Sequence, residues 1–419
     1  MQAEIIAVGS ELLGMGRPET NSLYLASRLL PLGFVLRRKS VVGDEPHLLQ
    51  ESLALAIAGA DLILLTGGLG PTEDDVTREA VAGFLGRRLR EDPELVAQLQ
   101  RRYRRFGLRM SENNRRQAQV PEGARILPNP VGTAPGLALE AAGRWIILLP
   151  GPPRELRPMV EDHVIPLLQE VFPVRPRPLR ILKVAGEPES AVDQRVAPLY
   201  RREAQVATTI LSSPGIVSLY FLWKGEDPRE GEEKLERLVG AVREELGEAV
   251  YAEREETLAE ALGTRLRRLG LSLAAAESCT GGWVGKLVTD VPGSSDYFRG
   301  GVVSYSNEAK MALLGVPAEV LEREGAVSAA VAEAMAAGAR RAFAADVAVS
   351  ATGIAGPGGG SDEKPVGTVY LGLAVANRVR SRRCWFPGDR EAVRLRTAHL
   401  LLDWVRRECD ALVRGGGHP

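Results

Sequence analysis

The chain has 419 residues, of which 45% are hydrophobic and 26% charged, as is usual for folded globular domains. Its 53 basic and 54 acidic residues leave a net charge of −1, which excludes a strong overall attraction to nucleic acid or to a membrane surface. Three cysteines are too few for a disulfide framework, and the sequence contains neither a signal-peptide pattern nor an apolar run of about 20 residues. We therefore expect a cytoplasmic protein of two or three domains.

The first part of the chain is predicted to alternate strands and helices, and each strand ends in a glycine-rich or polar turn. The clearest predicted strands are Ile5–Val8, Val35–Val42, Asp61–Leu65 and Trp145–Leu149. The glycine and polar residues that follow the strands or open the next helix include Gly9, Ser10, Glu11, Asn21, Asp44, Gly67, Gly68, Gly70, Asp74, Asp75, Thr133 and Glu155. Since parallel strands place such turns at one edge of a sheet, the pattern predicts a single ligand crevice there.

The turn TGGLGPTEDD, Thr66–Asp75, is the most informative of these. It lacks the ending of a phosphate-binding Walker loop and the glycine spacing of a dinucleotide-binding fingerprint. Its glycines can still present backbone N–H groups to a phosphate, and Asp74 and Asp75 beside them suggest a divalent cation. The simpler interpretation is that Thr72 or Asp74 caps a helix predicted over Asp75–Leu85.

A proline-spaced segment, Pro173–Pro178, separates this region from a smaller α+β region. We place the domain boundaries at residues 1–172, 173–252 and 253–414. The middle region lacks a Gly-x-x-Gly loop with basic neighbours, so we expect a spacer or dimerisation unit rather than an RNA-binding domain. The basic run Arg101–Arg105 lies in a predicted helix and is interpreted as a solvated face.

The last region contains LAAAESCTGGW, a short apolar strand, a polar turn and the start of a helix at Trp283. Ser278, Cys279 and Thr280 are candidate nucleophiles, and each would need a base. None of the four histidines lies in a polar, glycine-rich context near this turn, whereas Lys310 opens a helix predicted over Glu308–Leu314. A desolvated lysine can act as a base, so a Ser278–Lys310 pair is one interpretation. In the other, Ser278 is a helix N-cap and Lys310 is solvated.

Two further segments are candidates for ligand contact in this region. A glycine-rich stretch beginning at Thr352 follows a strand predicted over Val347–Ala351, and its backbone could approach a phosphate. It could equally be a mobile surface loop. Tyr297 or Phe298 could stack on an aromatic ligand or belong to the core.

The chain is predicted to end with a long amphipathic helix and a disordered tail, residues 415–419.

The motifs AESCTGG, GSSDYFRGGVVSYSNEAK and ATGIAGPGGG resemble the nicotinamide-nucleotide amidase family, which forms the C-terminal domain of CinA-type proteins. The resemblance covers about residues 257–413 and implies a three-layer α/β/α domain. It implies hydrolysis of nicotinamide mononucleotide to nicotinate mononucleotide and ammonia, with Ser278 as nucleophile, Lys310 as base and no cofactor. Backbone N–H groups near Thr280–Gly282 would form the oxyanion hole. The implied substrate contacts are Thr280, Gly281, Gly282, Tyr305, Thr352, Gly353 and Gly356.

The motifs GSELLGM, TGGLGPTEDD, NPVGTAPG and LPGPPRE resemble the molybdopterin-binding fold, and more closely the N-terminal domain of CinA. The resemblance covers about residues 1–171 and implies a three-layer α/β/α domain that hydrolyses ADP-ribose to AMP and ribose 5-phosphate. A divalent metal (Mg, Mn or Co), aided by potassium, would be bound by Asp44, Asp74 and Asp75, with Glu11 and Glu155 lining the crevice. The family's Asn-Lys pair is replaced here by Asn129-Pro130, so a basic phosphate contact is missing or supplied by Arg154. The middle region is implied to resemble a KH domain.

Together these resemblances predict a bifunctional enzyme of pyridine-nucleotide recycling, expected to be a homodimer that binds neither membrane nor nucleic acid. Two other hypotheses about the function remain open. The protein could be an interaction protein linked to competence or DNA damage, or its N-terminal domain could bind a pterin or nucleotide without catalysis, because a fold alone does not decide function.

Overall fold

The structure is a computed structural model that describes residues 1–14, 16, 18–105, 107–174 and 177–414. It contains two compact units, Met1–Arg177 and Pro178–Pro419. The predicted disordered tail, residues 415–419, lies outside the described residues.

The first unit is built on a six-stranded sheet. The unit also contains a separate pair of strands. In chain order, the eight strands are β1 (Gln2–Val8), β2 (Val35–Val42), β3 (Leu62–Thr66), β4 (Leu89–Glu91), β5 (Gln119–Pro121), β6 (Arg125–Leu127), β7 (Gly136–Ala141) and β8 (Arg144–Leu149). The sheet order is β2-β1-β3-β8-β7-β6, and β4 pairs with β5. The first four strands in that order run parallel, while β7 is antiparallel to both of its neighbours.

Helices cover both faces of this sheet. They are α1 (Glu11–Gly14), α2 (Asn21–Leu29), α3 (Pro46–Ile57), α4 (Thr77–Phe84), α5 (Pro93–Arg105), α6 (Glu112–Arg115), α7 (Pro153–Met159) and α8 (Ile165–Val171), with 3₁₀ turns at Leu30–Leu32 and Arg116–Ala118 and a π-helical turn at Val160–Val164. Side chains alternate along β1, so Ile6 packs in one core with α3 to α5, while Ile5 packs in the other with α2, α7 and α8. The predicted three-layer α/β/α fold is confirmed.

The carboxyl ends of five strands of this sheet meet at one edge. Strands β1, β2, β3 and β8 are parallel, and β6 has the same direction because β7 is antiparallel to both β6 and β8. Strands β2 and β3 lie on opposite sides of β1 in the sheet. The strand order therefore reverses at β1, and open α/β sheets bind ligands at the carboxyl edge beside such a topological switch point.

The second unit begins with a four-stranded antiparallel sheet in the order β10-β11-β9-β12. Its elements are β9 (Leu179–Ala185), α9 (Glu189–Tyr200), β10 (Val206–Ser213), β11 (Ile216–Trp223), α10 (Pro228–Leu246), a 3₁₀ turn (Gly247–Ala249) and β12 (Val250–Ala252). Apolar residues of the sheet, such as Leu182 and Phe221, share one core with Val192 of α9 and Leu235 of α10. The two helices and the sheet thus form the predicted small α+β region.

The rest of the second unit contains a five-stranded sheet in the order β14-β13-β15-β16-β17. Its elements are α11 (Leu258–Leu269), β13 (Leu273–Glu277), α12 (Trp283–Thr289), a 3₁₀ turn (Ser294–Asp296), β14 (Phe298–Val303), α13 (Asn307–Leu314), α14 (Ala318–Glu324), α15 (Ala329–Ala342), β15 (Val347–Gly353), β16 (Thr368–Val375), β17 (Arg378–Trp385) and α16 (Arg390–Arg414). The central strand β13 is parallel to β14 and β15, whereas β16 and β17 are antiparallel additions.

Two cores flank this sheet. Leu273 and Ala275 of β13 pack with α11, α12 and α16, whereas Ala274 and Ala276 pack with α13 to α15. The region is therefore the predicted three-layer α/β/α domain. Because β13, β14 and β15 are parallel neighbours, the segments after Glu277, Val303 and Gly353 emerge at one edge.

Candidate active sites

A serine hydroxyl and a lysine amine lie within hydrogen-bonding distance at the carboxyl edge of the five-stranded sheet. Ser278 follows β13, Lys310 lies in the first turns of α13, and Lys310 Nζ is 3.2 Å from Ser278 Oγ. The two residues are 8% and 1% exposed, respectively. Lys310 is thus buried rather than solvated, and the residue that caps α12 is Gly282 rather than Ser278. The structure brings the two candidate residues together.

The Lys310 amine has two more acceptors, the carbonyl oxygens of Ser304 at 3.0 Å and Tyr305 at 3.4 Å. Burial lowers the pKa of Lys310 and outweighs the opposing effect of the nearby Glu308 carboxylate. A neutral amine has two N–H groups and one lone pair. Two carbonyls and one hydroxyl match this set, so the geometry suits an amine that takes the proton of Ser278.

The neighbouring thiol of Cys279 is placed in the hydrophobic core. It is 5% exposed and packs in the same cluster as Val284 of α12. Burial raises the pKa of Cys279 to about 12, so the thiol stays protonated near neutral pH. Because the thiolate is the reactive form of cysteine, this environment favours a packing role over that of a rival nucleophile.

Glu277, which the sequence analysis did not single out, holds the turn that carries Ser278. Its buried carboxylate accepts backbone hydrogen bonds from Gly282 at 2.9 Å, Val284 at 3.1 Å and Gly285 at 2.9 Å, which closes the N-terminus of α12. The signal available in the sequence was a carboxylate at the end of an apolar strand just before a helix N-terminus.

The hydrogen bonds of this turn correct the expectation that backbone N–H groups near Thr280–Gly282 form the oxyanion hole. The Gly282 N–H donates to Glu277, and the Gly281 N–H donates to the Ser278 carbonyl at 3.1 Å. Two of the N–H groups expected to face the substrate therefore stabilise the turn itself. Both glycines have positive φ, 57° and 96°, so they are required by the backbone conformation of the turn.

Two arginines from the start of α16 complete the site, and the sequence analysis missed both. Arg394 donates to the Thr280 carbonyl from Nη2 at 2.8 Å, and Arg390 donates to the Tyr305 hydroxyl at 2.9 Å and to the Gly356 carbonyl at 2.7 Å. Their i, i+4 spacing puts them on one helix face. That helix reaches the site only through the tertiary fold, so the spacing alone did not identify them.

The contacts of Thr280 and Tyr305 differ. Thr280 is fully buried and, among the described residues, its hydroxyl has no hydrogen-bond partner. Tyr305 is 61% exposed, with its hydroxyl held by Arg390. Tyr305 is therefore the more accessible of these two predicted substrate contacts.

The glycine-rich segment begins later than predicted, because β15 continues through Gly353. The Thr352 hydroxyl donates to the Ala326 carbonyl at 2.7 Å, so it contributes to packing. A Cβ at Gly353 would lie 2.8 Å from the Thr368 carbonyl of β16, so this glycine allows two strands to approach. Of the three residues predicted in this segment, Gly356 is the one linked to the site, through Arg390.

Tyr297 belongs to the core. It is 1% exposed, and the Arg267 guanidinium lies 5.0 Å from the centre of its ring. Phe298 is partly buried and packs against the same core. Of the two roles considered for these rings, the structure supports the packing role.

The first unit has a cavity of about 490 Å³ at the edge where its strands end. Its lining contains nearly all of the residues predicted for this site, namely Gly9, Glu11, Asn21, Asp44, Gly67, Gly68, Gly70, Asp74, Asp75, Thr133 and Glu155. Ser10 supports the cavity, since its N–H donates to Asp44 Oδ2 at 2.8 Å and its Oγ accepts from the Asp44 N–H at 3.1 Å. The structure thus gathers the dispersed motifs around one space.

The turn after β3 is held by its own side chains. Asp75 Oδ2 accepts from the N–H of Thr72 at 2.8 Å and from its hydroxyl at 2.6 Å. The buried Arg78 donates to the carbonyls of Leu69 at 2.6 Å and Gly70 at 3.2 Å. The helix α4 begins at Thr77, and no side chain caps it. The expectation that Thr72 or Asp74 caps a helix starting at Asp75 is therefore wrong.

Asn129 supports two residues that line this cavity, Ala134 and Glu155. Its side-chain N–H group donates to Glu155 Oε2 at 2.9 Å and to the Ala134 carbonyl at 2.8 Å. Gln117 donates to the Thr133 hydroxyl at 3.0 Å. Arg154, considered as a replacement for the missing basic phosphate contact, is an exposed residue outside the lining of the cavity.

The predicted metal ligands line the cavity but do not form a ready-made cage. Within the described parts of the chain, no group of three or more His, Cys, Asp or Glu side chains is arranged to hold a metal. Asp44 and Asp75 instead accept local hydrogen bonds from Ser10 and Thr72. A site with three converging carboxylates therefore does not fit this structure.

Family models match all three regions of the chain. The "Probable molybdopterin binding domain" covers residues 4–170, the "Damage-inducible protein CinA KH domain" covers 179–252, and the "CinA C-terminal domain" covers 255–409. The chain thus belongs to a class of proteins that joins a molybdopterin-binding-like domain, a KH domain and a CinA C-terminal domain.

Curated relatives match nearly the whole chain. A "CinA-like protein" of Solibacter usitatus is 44% identical over 407 residues, which cover 97% of this chain and 98% of the relative. A "Putative competence-damage inducible protein" of Symbiobacterium thermophilum is 46% identical over 419 residues, with 97% and 98% coverage. A crystal structure of a CinA protein from Thermoplasma acidophilum, 31% identical, covers 41% of this chain and 99% of its own, with a TM-score of 0.38. The chain belongs to the CinA family.

In the part of the chain that the structure describes, no helix is both long enough and apolar enough to cross a bilayer.

Proposed function

We propose that the C-terminal domain is a serine–lysine amidase that hydrolyses nicotinamide mononucleotide. The observation that carries the proposal is the 3.2 Å distance between Ser278 Oγ and the buried Lys310 Nζ. The substrate is inferred from the resemblance of the surrounding motifs to nicotinamide-nucleotide amidases. Membership of the CinA family agrees with this proposal.

In the first step, the neutral Lys310 amine accepts the hydroxyl proton while Ser278 Oγ bonds to the carboxamide carbon. The lowered pKa of Lys310 supports this role, because more of the amine is neutral at a given pH. The Lys310 ammonium then donates its proton to the leaving nitrogen. Cleavage of the C–N bond releases ammonia and leaves an ester on Ser278.

In the second step, water gives a proton to Lys310 and attacks the ester carbon. The acyl–oxygen bond breaks, the proton returns to Ser278 Oγ, and nicotinate mononucleotide leaves. Arg390 and Tyr305 lie at the same site and carry a cation and an exposed phenol. We assign them to binding the charged nucleotide rather than to proton transfer.

The test is ammonia release from nicotinamide mononucleotide by the full chain in the presence of a chelator. We expect release by the wild type and loss in both Ser278→Ala and Lys310→Ala. No release by the wild type would overturn the proposal. It would also shift the interpretation towards an interaction protein.

We further propose that the N-terminal domain hydrolyses ADP-ribose to AMP and ribose 5-phosphate. The supporting observation is the cavity of about 490 Å³ that combines the glycines of the turn after β3 with several carboxylates. Backbone N–H groups of such glycines suit a diphosphate, while carboxylates alone would repel it.

A divalent cation would resolve this repulsion. Mg²⁺ is usually held by one or two carboxylates and by substrate phosphates rather than by a protein cage. The lining of the cavity fits this second mode, with Asp74 and one of Asp44 or Asp75 as the protein ligands. When bound, the cation would neutralise the diphosphate and lower the pKa of a water molecule. The residues of this chain would orient the diphosphate and hold the cation beside it.

The test is metal-dependent formation of AMP from ADP-ribose. Binding of ADP-ribose without turnover would instead support a non-catalytic nucleotide-binding domain. The two proposed activities can fail independently, because the amidase assay contains a chelator.

A further inference from the structure

A second cavity of the first unit has a different chemical character from the carboxylate-rich one. It has a volume of about 580 Å³ and lies between helix α5 and the loop that follows β6. Arg101, Arg102 and Arg105 of α5 contribute to its lining. These residues belong to the basic run that the sequence analysis interpreted as a solvated face. That interpretation is confirmed, since Arg101, Arg104 and Arg105 are exposed, and the cavity opens onto this face.

The three arginines are not equivalent. Arg102 donates from Nη1 to the Pro130 carbonyl at 3.2 Å and from Nη2 to the Val131 carbonyl, which fixes the loop against the helix. Among the described residues, the guanidinium groups of Arg101 and Arg105 form no hydrogen bond and no ion pair. They are four residues apart on α5, where two like charges repel each other.

Among the described residues, neither acidic residue of this cavity forms an ion pair with Arg101 or Arg105. Asp92 accepts from the Leu95 N–H at 2.9 Å and so caps the start of α5, and Glu94 lies seven residues before Arg101, about 10 Å away along the helix. The cavity therefore has an uncompensated cationic end. An anion bound there would relieve the repulsion between the two guanidinium groups.

The remaining lining is mixed, with Gln98, Asn129, Gly132 and Thr133 beside an apolar part. The apolar part, called here the apolar floor, consists of two leucines, an isoleucine and prolines of the loop, namely Leu95, Leu99, Ile126, Pro128, Pro130 and Pro135. A volume of this size, an apolar floor and a few converging polar groups are typical of sites for small organic ligands. A simple inorganic anion would use only the cationic end.

We propose that this cavity binds an organic phosphate monoester, such as a nucleoside or sugar monophosphate. The phosphate would lie on Arg101 and Arg105, and the organic group on the apolar floor. A monoester is favoured over a diester because it carries close to two negative charges at neutral pH for the two guanidinium groups. Thr133 lines both cavities of this unit, so a ligand here would lie beside the carboxylate-rich cavity. The binding proposal does not depend on either proposed activity.

The experiment is calorimetric titration of the full chain, without metal, with AMP, cyclic AMP and adenosine. The three ligands share a base and differ in the charge of the phosphate group. The titrations are repeated with Arg101→Gln/Arg105→Gln. Arg104→Gln is the matched control, since Arg104 belongs to the same basic run but lies outside the cavity lining.

We expect the wild type to bind AMP more tightly than cyclic AMP, and adenosine most weakly. The double variant should bind AMP about tenfold more weakly or worse, while Arg104→Gln stays within about twofold of the wild type. Ribose 5-phosphate should show the same loss. AMP affinity that is equal in the double variant and the wild type, or no AMP binding by the wild type, would overturn the proposal. An equal loss in Arg104→Gln would also overturn it, because a general charge effect would then explain the result.

Discussion

Lys310 Nζ lies 3.2 Å from Ser278 Oγ, and the same amine contacts the two backbone carbonyls that precede its helix. Those carbonyls hold the amine in place and leave its lone pair for the serine hydroxyl. Both residues are buried, which makes the protonated lysine unfavourable and the neutral base accessible.

The first prediction concerns pH. Because burial lowers the pKa of Lys310, the neutral base should form below the ordinary lysine pKa of about 10.4. Amidase kcat/KM should therefore rise with pH, reach a plateau below that value, and be lost as pH falls through the lowered pKa. Steady-state profiles measured with chelator test this. Lys310→Arg should be inactive at every pH, and a profile that rises only above about 10.4 would contradict the assignment.

The second prediction separates the two adjacent nucleophile candidates. Ser278→Ala should lower kcat by about a thousandfold or more, because the covalent route is lost. Cys279→Ala should retain kcat within about threefold and lower the free energy of unfolding by about 1 kcal/mol, since it removes one buried sulfur atom. Ammonia release and chemical denaturation measure the two effects. If only the cysteine variant lost activity, Ser278 would not be the nucleophile.

The third prediction concerns Glu277. Glu277→Gln replaces a carboxylate that accepts three N–H groups with an amide that has a single acceptor oxygen. We expect the free energy of unfolding to fall by about 1–3 kcal/mol. Amidase kcat should also fall by more than KM changes, because the turn holding Ser278 loosens.

The control for Glu277→Gln is Asp290→Asn. Asp290 is an exposed carboxylate that pairs with Lys286 near the other end of α12. This change should cost less than about 0.5 kcal/mol and leave kcat unaltered. Equal effects of the two substitutions would argue against a positioning role for Glu277.

The fourth prediction concerns Arg394, whose guanidinium holds the Thr280 carbonyl at 2.8 Å. Arg394→Ala should lower amidase kcat by about 10- to 100-fold through misplacement of the Ser278 turn. Arg396→Ala is a suitable control, because its guanidinium donates to the Pro387 carbonyl instead. Kinetics of ammonia release distinguish the two variants, and equal loss in both would remove the specific role of Arg394.

The fifth prediction concerns the first unit. Asp74→Asn, alone or combined with Asp75→Asn, should abolish metal-dependent AMP formation from ADP-ribose and leave ammonia release unchanged. Asp75 also closes the turn with Thr72, so Thr72→Val is needed to separate the two roles. Thr72→Val should keep measurable turnover. Full metal-dependent activity in Asp74→Asn would contradict the assignment of this carboxylate.

Much of the architecture was predictable from local pattern. Apolar runs such as the predicted strand Asp61–Leu65, followed by glycines, indicated buried parallel strands that lead into ligand turns. The structure has this strand at Leu62–Thr66, parallel to both of its neighbours. The boundaries were less predictable. The strand β15 continues through Gly353, because antiparallel pairing with β16 extends it, and α4 starts at Thr77, because Asp75 bonds back to Thr72.

The sequence by itself determined many of the strands, the turns that follow them and the nucleophile and base candidates, because hydrophobic period and turn residues act over a few neighbouring positions. The tertiary structure alone decided that Lys310 is buried against Ser278, that Glu277 takes the turn's N–H groups, and that Arg390 and Arg394 reach the site. It also decided that the carboxylates of the first unit form no three-ligand cage among the described residues. The burial and pKa of a side chain, and the convergence of several side chains on one site, depend on groups that are far apart in the chain. Only packing brings those groups within a few ångströms of each other.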